Sequence, residues 1–133
     1  MTSGFFDTNV LLYLLSGDQA KADAAETLLA QGGTVSVQVL NEFAHVARRK
    51  FHAGWAAVHD SLAAISANLA VHPLTVETHA LGLRFSERYL VSVFDGQLLA
   101  AAVLARCDLF YSEDMQDGQI IEGLTISNPF VQR

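Results

Sequence analysis

Four acids stand out in a chain of which only 17% is charged: Asp7, Glu42, Asp95 and Asp114. Asp7 follows the apolar run Gly4-Phe5-Phe6, and Asp114 closes the segment Tyr111-Ser112-Glu113-Asp114. Glu42 lies in a helical stretch with Val39 at i−3, Val46 at i+4 and Phe43 beside it, so it borders the apolar face. It has no Lys or Arg at i+3 or i+4 to pair with. Asp95 shares a helix face with Leu98, Leu99 and Ala102. Each acid also has an ordinary local reading. Asp7 suits an N-cap or Asx turn, a role Asn9 can also fill. Glu42 suits a surface position, and Asp114 a polar turn. Asp95 suits a capping box, its carboxylate reaching back to the Ser92 amide. Jointly, carboxylates gathered without cations raise one another's pKa values, and neither lysine, Lys21 or Lys50, is placed to neutralise them. A divalent cation resolves that repulsion, and hard oxygen donors select Mg²⁺ or Mn²⁺.

Alternating strands and helices would position these groups. Short apolar runs predict strands at 3–6, 34–37, 69–74, 108–112 and 123–126. Helical periodicity predicts helices from Val10 to Gly17 and at 19–30, 39–50, 54–66, 75–89 and 92–106. Nearly continuous apolar strands between helices imply a five-stranded parallel sheet sandwiched by helices. Sites in such sheets lie beyond the carboxyl ends of the strands, where Asp7 and Asp114 fall.

The remaining composition sets the class. At 133 residues and 51% hydrophobic, the chain reads as one domain, 1–133, with a substantial core, and not as a disordered or low-complexity segment. The lone Cys107 excludes a disulfide framework and reads as a buried small hydrophobe. The first Lys or Arg is Lys21, and the longest wholly apolar stretch, 98–105, is too short to span a bilayer. A cytoplasmic protein with no membrane association is expected. The net charge of −6 is unusual for a nucleic-acid binder, but without the four acids ten remain against eight bases.

In five ordered blocks the chain resembles a PIN-domain ribonuclease, and more narrowly the VapC-type toxins of toxin–antitoxin pairs. They are Phe6-Asp7-Thr8-Asn9-Val10-Leu11, Asn41-Glu42-Phe43, Phe94-Asp95-Gly96-Gln97-Leu98-Leu99-Ala100-Ala101-Ala102, Tyr111-Ser112-Glu113-Asp114-Met115-Gln116-Asp117-Gly118 and Ile126-Ser127-Asn128-Pro129-Phe130. The resemblance implies a PIN-like α/β/α fold and Mg²⁺- or Mn²⁺-dependent endoribonuclease activity that blocks translation by cutting tRNA or rRNA. It also implies a cognate antitoxin and a homodimer. Asp7, Glu42, Asp95 and Asp114 match the family's metal-binding catalytic quartet, Asn9 and Ser112 its supporting polar positions, and Asp117 an occasional extra acid. Gly96 departs from the alanine expected after the third acid.

The chemistry this implies is hydrolysis by water, since no Ser–His or Cys–His pair is placed as a nucleophile. The cluster Arg48-Arg49-Lys50 ends the helix that carries Glu42, and Arg49 at i+7 shares its face. These cations either hold an RNA phosphate or favour a helix C-terminus. Arg84 and Arg88 read as solvated surface, and Phe51, Trp55 and Phe85 as core or dimer surface. A phosphoacceptor receiver domain lacks its paired acids and its lysine here, and Asn9 excludes an Asp-x-Asp phosphatase. A noncatalytic PIN-fold binding module, or a general RNA-processing or DNA-directed nuclease of the same fold, is the alternative.

Overall fold

A computed structural model describes residues 3–131. The element order is β1 (Gly4–Phe6), α1 (Thr8–Leu12) with a 3₁₀ turn at Tyr13–Leu15, α2 (Gln19–Ala30), β2 (Thr34–Ser36), α3 (Val37–Arg49) and α4 (Trp55–Asn68). It continues through β3 (Ala70–His72), α5 (Val76–Tyr89), α6 (Val93–Leu104), β4 (Leu109–Tyr111), β5 (Ile120–Ile121) and β6 (Leu124–Ser127).

The strands form one sheet in the order β3-β2-β1-β4-β6-β5. The five expected strands pair in parallel, and β5 adds a sixth, antiparallel to β6. The expectation of five strands is corrected by this two-residue strand, which is too short to carry a period. Its hairpin turns through Glu122 and Gly123, both at positive φ (51° and 83°), as a two-residue type I′ turn requires.

β1 and β2 are buried at every residue, so helices must cover both faces of the sheet. The core gathers Phe5, Phe6, Phe43, Phe110 and the aliphatic face of α6. Phe5 stacks on Phe110 across neighbouring strands, ring centroids 5.4 Å apart. Cys107 is buried, as expected. Phe85 is core, Phe51 half-buried, and Trp55 exposed, so the last is not a core residue.

β1 sits where the chain reverses direction across the sheet: β2 and β3 lie on one side of it, β4 and β6 on the other. The register pairs Phe6 with Tyr111, and the Asp7 amide donates to the Tyr111 carbonyl at 2.9 Å. The residues leaving β1 and β4 therefore emerge side by side at the carboxyl edge, the usual ligand crevice of such sheets. α5 packs closely along α6. A Cβ on Gly96 would collide with the Ser86 hydroxyl and the Gly82 carbonyl, and one on Gly82 with Gln97. That approach is the physical reason for glycine at 96. Among the described residues, no helix is long and apolar enough to cross a membrane.

Candidate active site

Each of the four acids is set by a local start signal. Asp7 caps α1, its Oδ1 accepting from the Thr8 amide at 2.7 Å, so the capping and site readings hold together. α1 therefore begins at Thr8 instead of Val10. Ser36, the last residue of β2, caps α3 by accepting from the Val39 amide at 3.3 Å. The strand runs straight into its helix and places Glu42 in the second turn. Ser92 caps α6, its hydroxyl accepting from the Asp95 amide at 3.0 Å. The reciprocal half of the capping box is not made, since no bond joins the Asp95 carboxylate to the Ser92 amide. Asp114 follows β4 by three residues.

All four line one cavity of about 490 Å³, together with Thr8, Asn9, Leu12, Asn41, His45 and Val46. Among the described residues no Lys or Arg lines it. A hydrogen-bonded chain links Asp7 to Asp114, and other bonds hold Glu42. The Ser112 hydroxyl donates to Asp7 Oδ2 at 2.8 Å while accepting from the Asp114 amide at 3.2 Å. The Asn9 side-chain amide donates to Asp7 Oδ2 at 3.3 Å and to Asp114 Oδ2 at 2.9 Å. The Thr8 hydroxyl donates to Glu42 Oε2 at 2.8 Å. Gln38 donates to Glu42 Oε1 and to the Phe94 carbonyl, both at 3.1 Å, tying Glu42 to the turn that carries Asp95.

Burial at the carboxyl edge pushes the Asp7 carboxyl up to about 7. The Ser112 hydroxyl and Thr8 amide oppose that rise, and the charges of Asp95 and Asp114 add to it. Asp95 is also raised, first by partial burial and then by Glu42 and Asp114, with the Ser92 side chain opposing. The acids thus repel one another, and among the described residues no cation lining the cavity relieves them.

Beside the quartet, Glu113 turns away to a separate partner set. It accepts from Lys21 and from the Tyr13 hydroxyl, both at 2.6 Å, which holds its carboxyl below the usual range. Lys21 thus reaches Glu113 and not the quartet. Asp117 does not line the cavity, and its carboxylate accepts from the Asn128 amide at 2.8 Å. The basic cluster divides. Arg48 donates to the Ala53 carbonyl at 2.9 Å and lies over the Trp55 ring, 4.4 Å from its centroid. Arg49 is exposed, and Lys50 lines a second, adjoining cavity. Arg84 and Arg88 are exposed, as expected, with Arg88 3.7 Å from Glu122.

Sequence reasoning missed Thr8, Gln38, Asn41 and His45. Gln38 lies at i−4 and His45 at i+3 from Glu42, so the face of Glu42 was the available signal.

The donor set suits a hard divalent cation, since every acid offers carboxylate oxygens and their repulsion is unrelieved. Among the described residues, no group of three or more Asp, Glu, His or Cys side chains is arranged to hold a metal ion as it stands.

Fold and site together define an acid-lined, doubly wound α/β domain. The PIN domain family model matches residues 4–116, and the chain belongs to that family. No curated relative matches the sequence. Among solved structures, the fold is similar to that of Mycobacterium tuberculosis VapC20, described as a sarcin-ricin loop cleaving toxin. That match has 22% identity, covers 84% of this chain and 90% of that one, and has a TM-score of 0.69. It is also similar to a toxin–antitoxin complex from Klebsiella pneumoniae, at 23% identity over 96% and 98% of the two chains, TM-score 0.73. A third similar structure is VapBC2 from Rickettsia felis bound to a promoter DNA fragment, at 13% identity over 96% and 98%, TM-score 0.69.

Proposed function

We propose that the protein is a Mg²⁺- or Mn²⁺-dependent endoribonuclease, the VapC-type toxin of a toxin–antitoxin pair, acting in the cytoplasm on tRNA or rRNA. The observation that carries this reading is the convergence of Asp7, Glu42, Asp95 and Asp114, from four separate places in the chain, on one cavity that no lysine or arginine among the described residues lines. Membership of the PIN family supports nuclease chemistry. Likeness to toxin–antitoxin complexes supports a cognate antitoxin as partner, and a homodimeric toxin is part of the same reading.

In this reading the four carboxylates would hold the ion. When bound, it supplies Lewis acidity toward the scissile phosphate and offsets the charge developing on the leaving oxygen. Ser112 and the Thr8 amide fix the Asp7 carboxylate in place, and Asn9 sets its spacing from Asp114. Thr8 and Gln38 orient Glu42 through both of its oxygens. Among the described residues no serine or cysteine lines the cavity, and in this reading water is the nucleophile, as in metal-assisted hydrolysis. Asp117 acts from outside the cavity, by holding the chain at Asn128.

The test is RNA cleavage by purified protein, free of antitoxin, in Mg²⁺, in Mn²⁺ and in EDTA, beside Asp95→Asn. Discrete cuts are expected with either metal. EDTA should abolish them, and Asp95→Asn should lower them below detection while its circular dichroism matches the wild type. Mapped ends name the RNA. Full activity in Asp95→Asn would remove Asp95 from the quartet. Absence of cleavage by folded protein in every metal would favour a noncatalytic binding module.

A further inference from the structure

A second cavity, of about 240 Å³, adjoins the acid site and shares three of its walls: Asn9, Leu12 and Asp114. Its other walls are Tyr13, Lys50, Phe51 and Glu113. We propose that this cavity is a phosphate subsite, in which Lys50 holds the phosphate next to the scissile one on the same RNA strand. This rests on the ribonuclease reading above.

Charge is the first reason. Among the described residues Lys50 is the single Lys or Arg lining either cavity, and it has no ion-pair partner there. The acids beside it are already engaged. Glu113 is compensated by Lys21 and Tyr13, and the charge of Asp114, which accepts from Asn9, would be offset by the ion the quartet holds. Lys50 therefore faces a cavity whose Glu113 charge is neutralised from the other side, and an entering anion meets an unpaired ammonium.

Position is the second reason. Lys50 caps α3, the helix that carries Glu42, so cation and acid are fixed on one rigid element. The chain then turns sharply, with His52 at φ 53° and the Ala53 amide donating to the Ala47 carbonyl at 3.0 Å. Arg48 holds that turn through the Ala53 carbonyl. The cluster thus divides its work, Arg48 bracing the turn and Lys50 facing the groove. Leu12 and Phe51 add an apolar wall beside the ammonium. A nucleotide presents that same pairing, an anionic phosphate with a flat, weakly polar base.

The experiment uses the full chain with a synthetic RNA spanning a mapped cut, together with versions carrying a neutral methylphosphonate at either neighbouring linkage. Lys50→Ala should raise KM about tenfold with kcat within about twofold, and reduce the salt slope of log affinity by about 0.7, one phosphate contact on a single strand. Lys50→Arg should restore most of the loss. One of the two neutral linkages should raise the wild-type KM similarly and add nothing further in Lys50→Ala. Arg84→Ala, which removes a positive charge from neither cavity, controls for net charge. An unchanged KM in Lys50→Ala, or a loss that persists undiminished on both neutral substrates, overturns the proposal. If the wild type cuts no RNA, the nuclease reading falls separately. Anisotropy of a fluorescein-labelled, mixed-sequence single-stranded RNA in Mg²⁺ then decides the subsite: about tenfold weaker binding by Lys50→Ala upholds it, and equal binding overturns it.

Discussion

Replacing Asp7 with asparagine should stabilise the metal-free protein near neutral pH while removing a group the chemistry needs. Asp7 is 6% exposed, and its carboxyl is pushed from 3.8 to about 7 in the folded state. A raised folded value means the native state binds more protons than the unfolded one between roughly pH 4 and 7. The stabilisation from the protonated carboxyl is therefore complete below about pH 4 and is lost as pH rises through about 7. A rise of that size corresponds to roughly 4 kcal/mol, an upper bound on what ionised Asp7 costs near pH 8. Asparagine stays neutral throughout. Its carbonyl can still accept from the Thr8 amide, and its own amide can donate to the Ser112 oxygen. The Asn9 side-chain amide, however, loses one of its two acceptors and keeps only Asp114 Oδ2, at a cost of about 1 kcal/mol. The expected net effect is a gain of about 2–3 kcal/mol near pH 8 that shrinks and changes sign toward pH 4. Urea unfolding of both proteins in EDTA, followed by far-UV circular dichroism across that range, measures it. Stability curves that stay parallel from pH 4 to 8, or an Asp7→Asn variant weaker than wild type at pH 8, would refute the reasoning.

Two further outcomes follow from the same geometry. If the acids hold a divalent ion, adding about ten times its Kd of Mg²⁺ or Mn²⁺ near pH 8 should stabilise the wild type by roughly 1.4 kcal/mol, a rise in Tm of a few degrees. Scanning calorimetry should find that shift much reduced in Asp95→Asn, and an equal shift in both proteins would remove Asp95 from the ligands. Gly96→Ala should destabilise by about 1–3 kcal/mol despite alanine's better helix propensity, because the methyl meets the Ser86 hydroxyl and the Gly82 carbonyl. Urea midpoints check it, and a gain in stability would mean that α5 and α6 are not so closely packed.

Much of the arrangement is legible in the order of residues. Apolar runs ending in Phe6 and Tyr111 mark β1 and β4, and Ser36 and Ser92 mark the starts of α3 and α6, because these signals act within a few residues. Asp7, Glu42, Asp95 and Asp114 could be singled out since each breaks an apolar face or closes an apolar run. β5 was not legible, since two residues carry no period and its hairpin is fixed by backbone angles at Glu122 and Gly123. The reason for Gly96 was also hidden, because it lies in the approach of a different helix.

What the sequence determined alone is therefore local: where strands and helices begin, which acids sit near their ends, and that no lysine neighbours those acids along the chain. The tertiary structure decided which groups meet. The Phe6–Tyr111 register brings Ser112 onto Asp7 across 105 positions, and the packing of α3 beside α1 and α6 brings Thr8 to Glu42 and ties Gln38 to the Phe94 carbonyl. It also separated three adjacent cations, setting Arg48 on a turn and Lys50 on a groove. Capping and periodicity are properties of neighbours in the chain. Charge repulsion, desolvation and hydrogen bonding act through space, and only the folded sheet edge sets those distances.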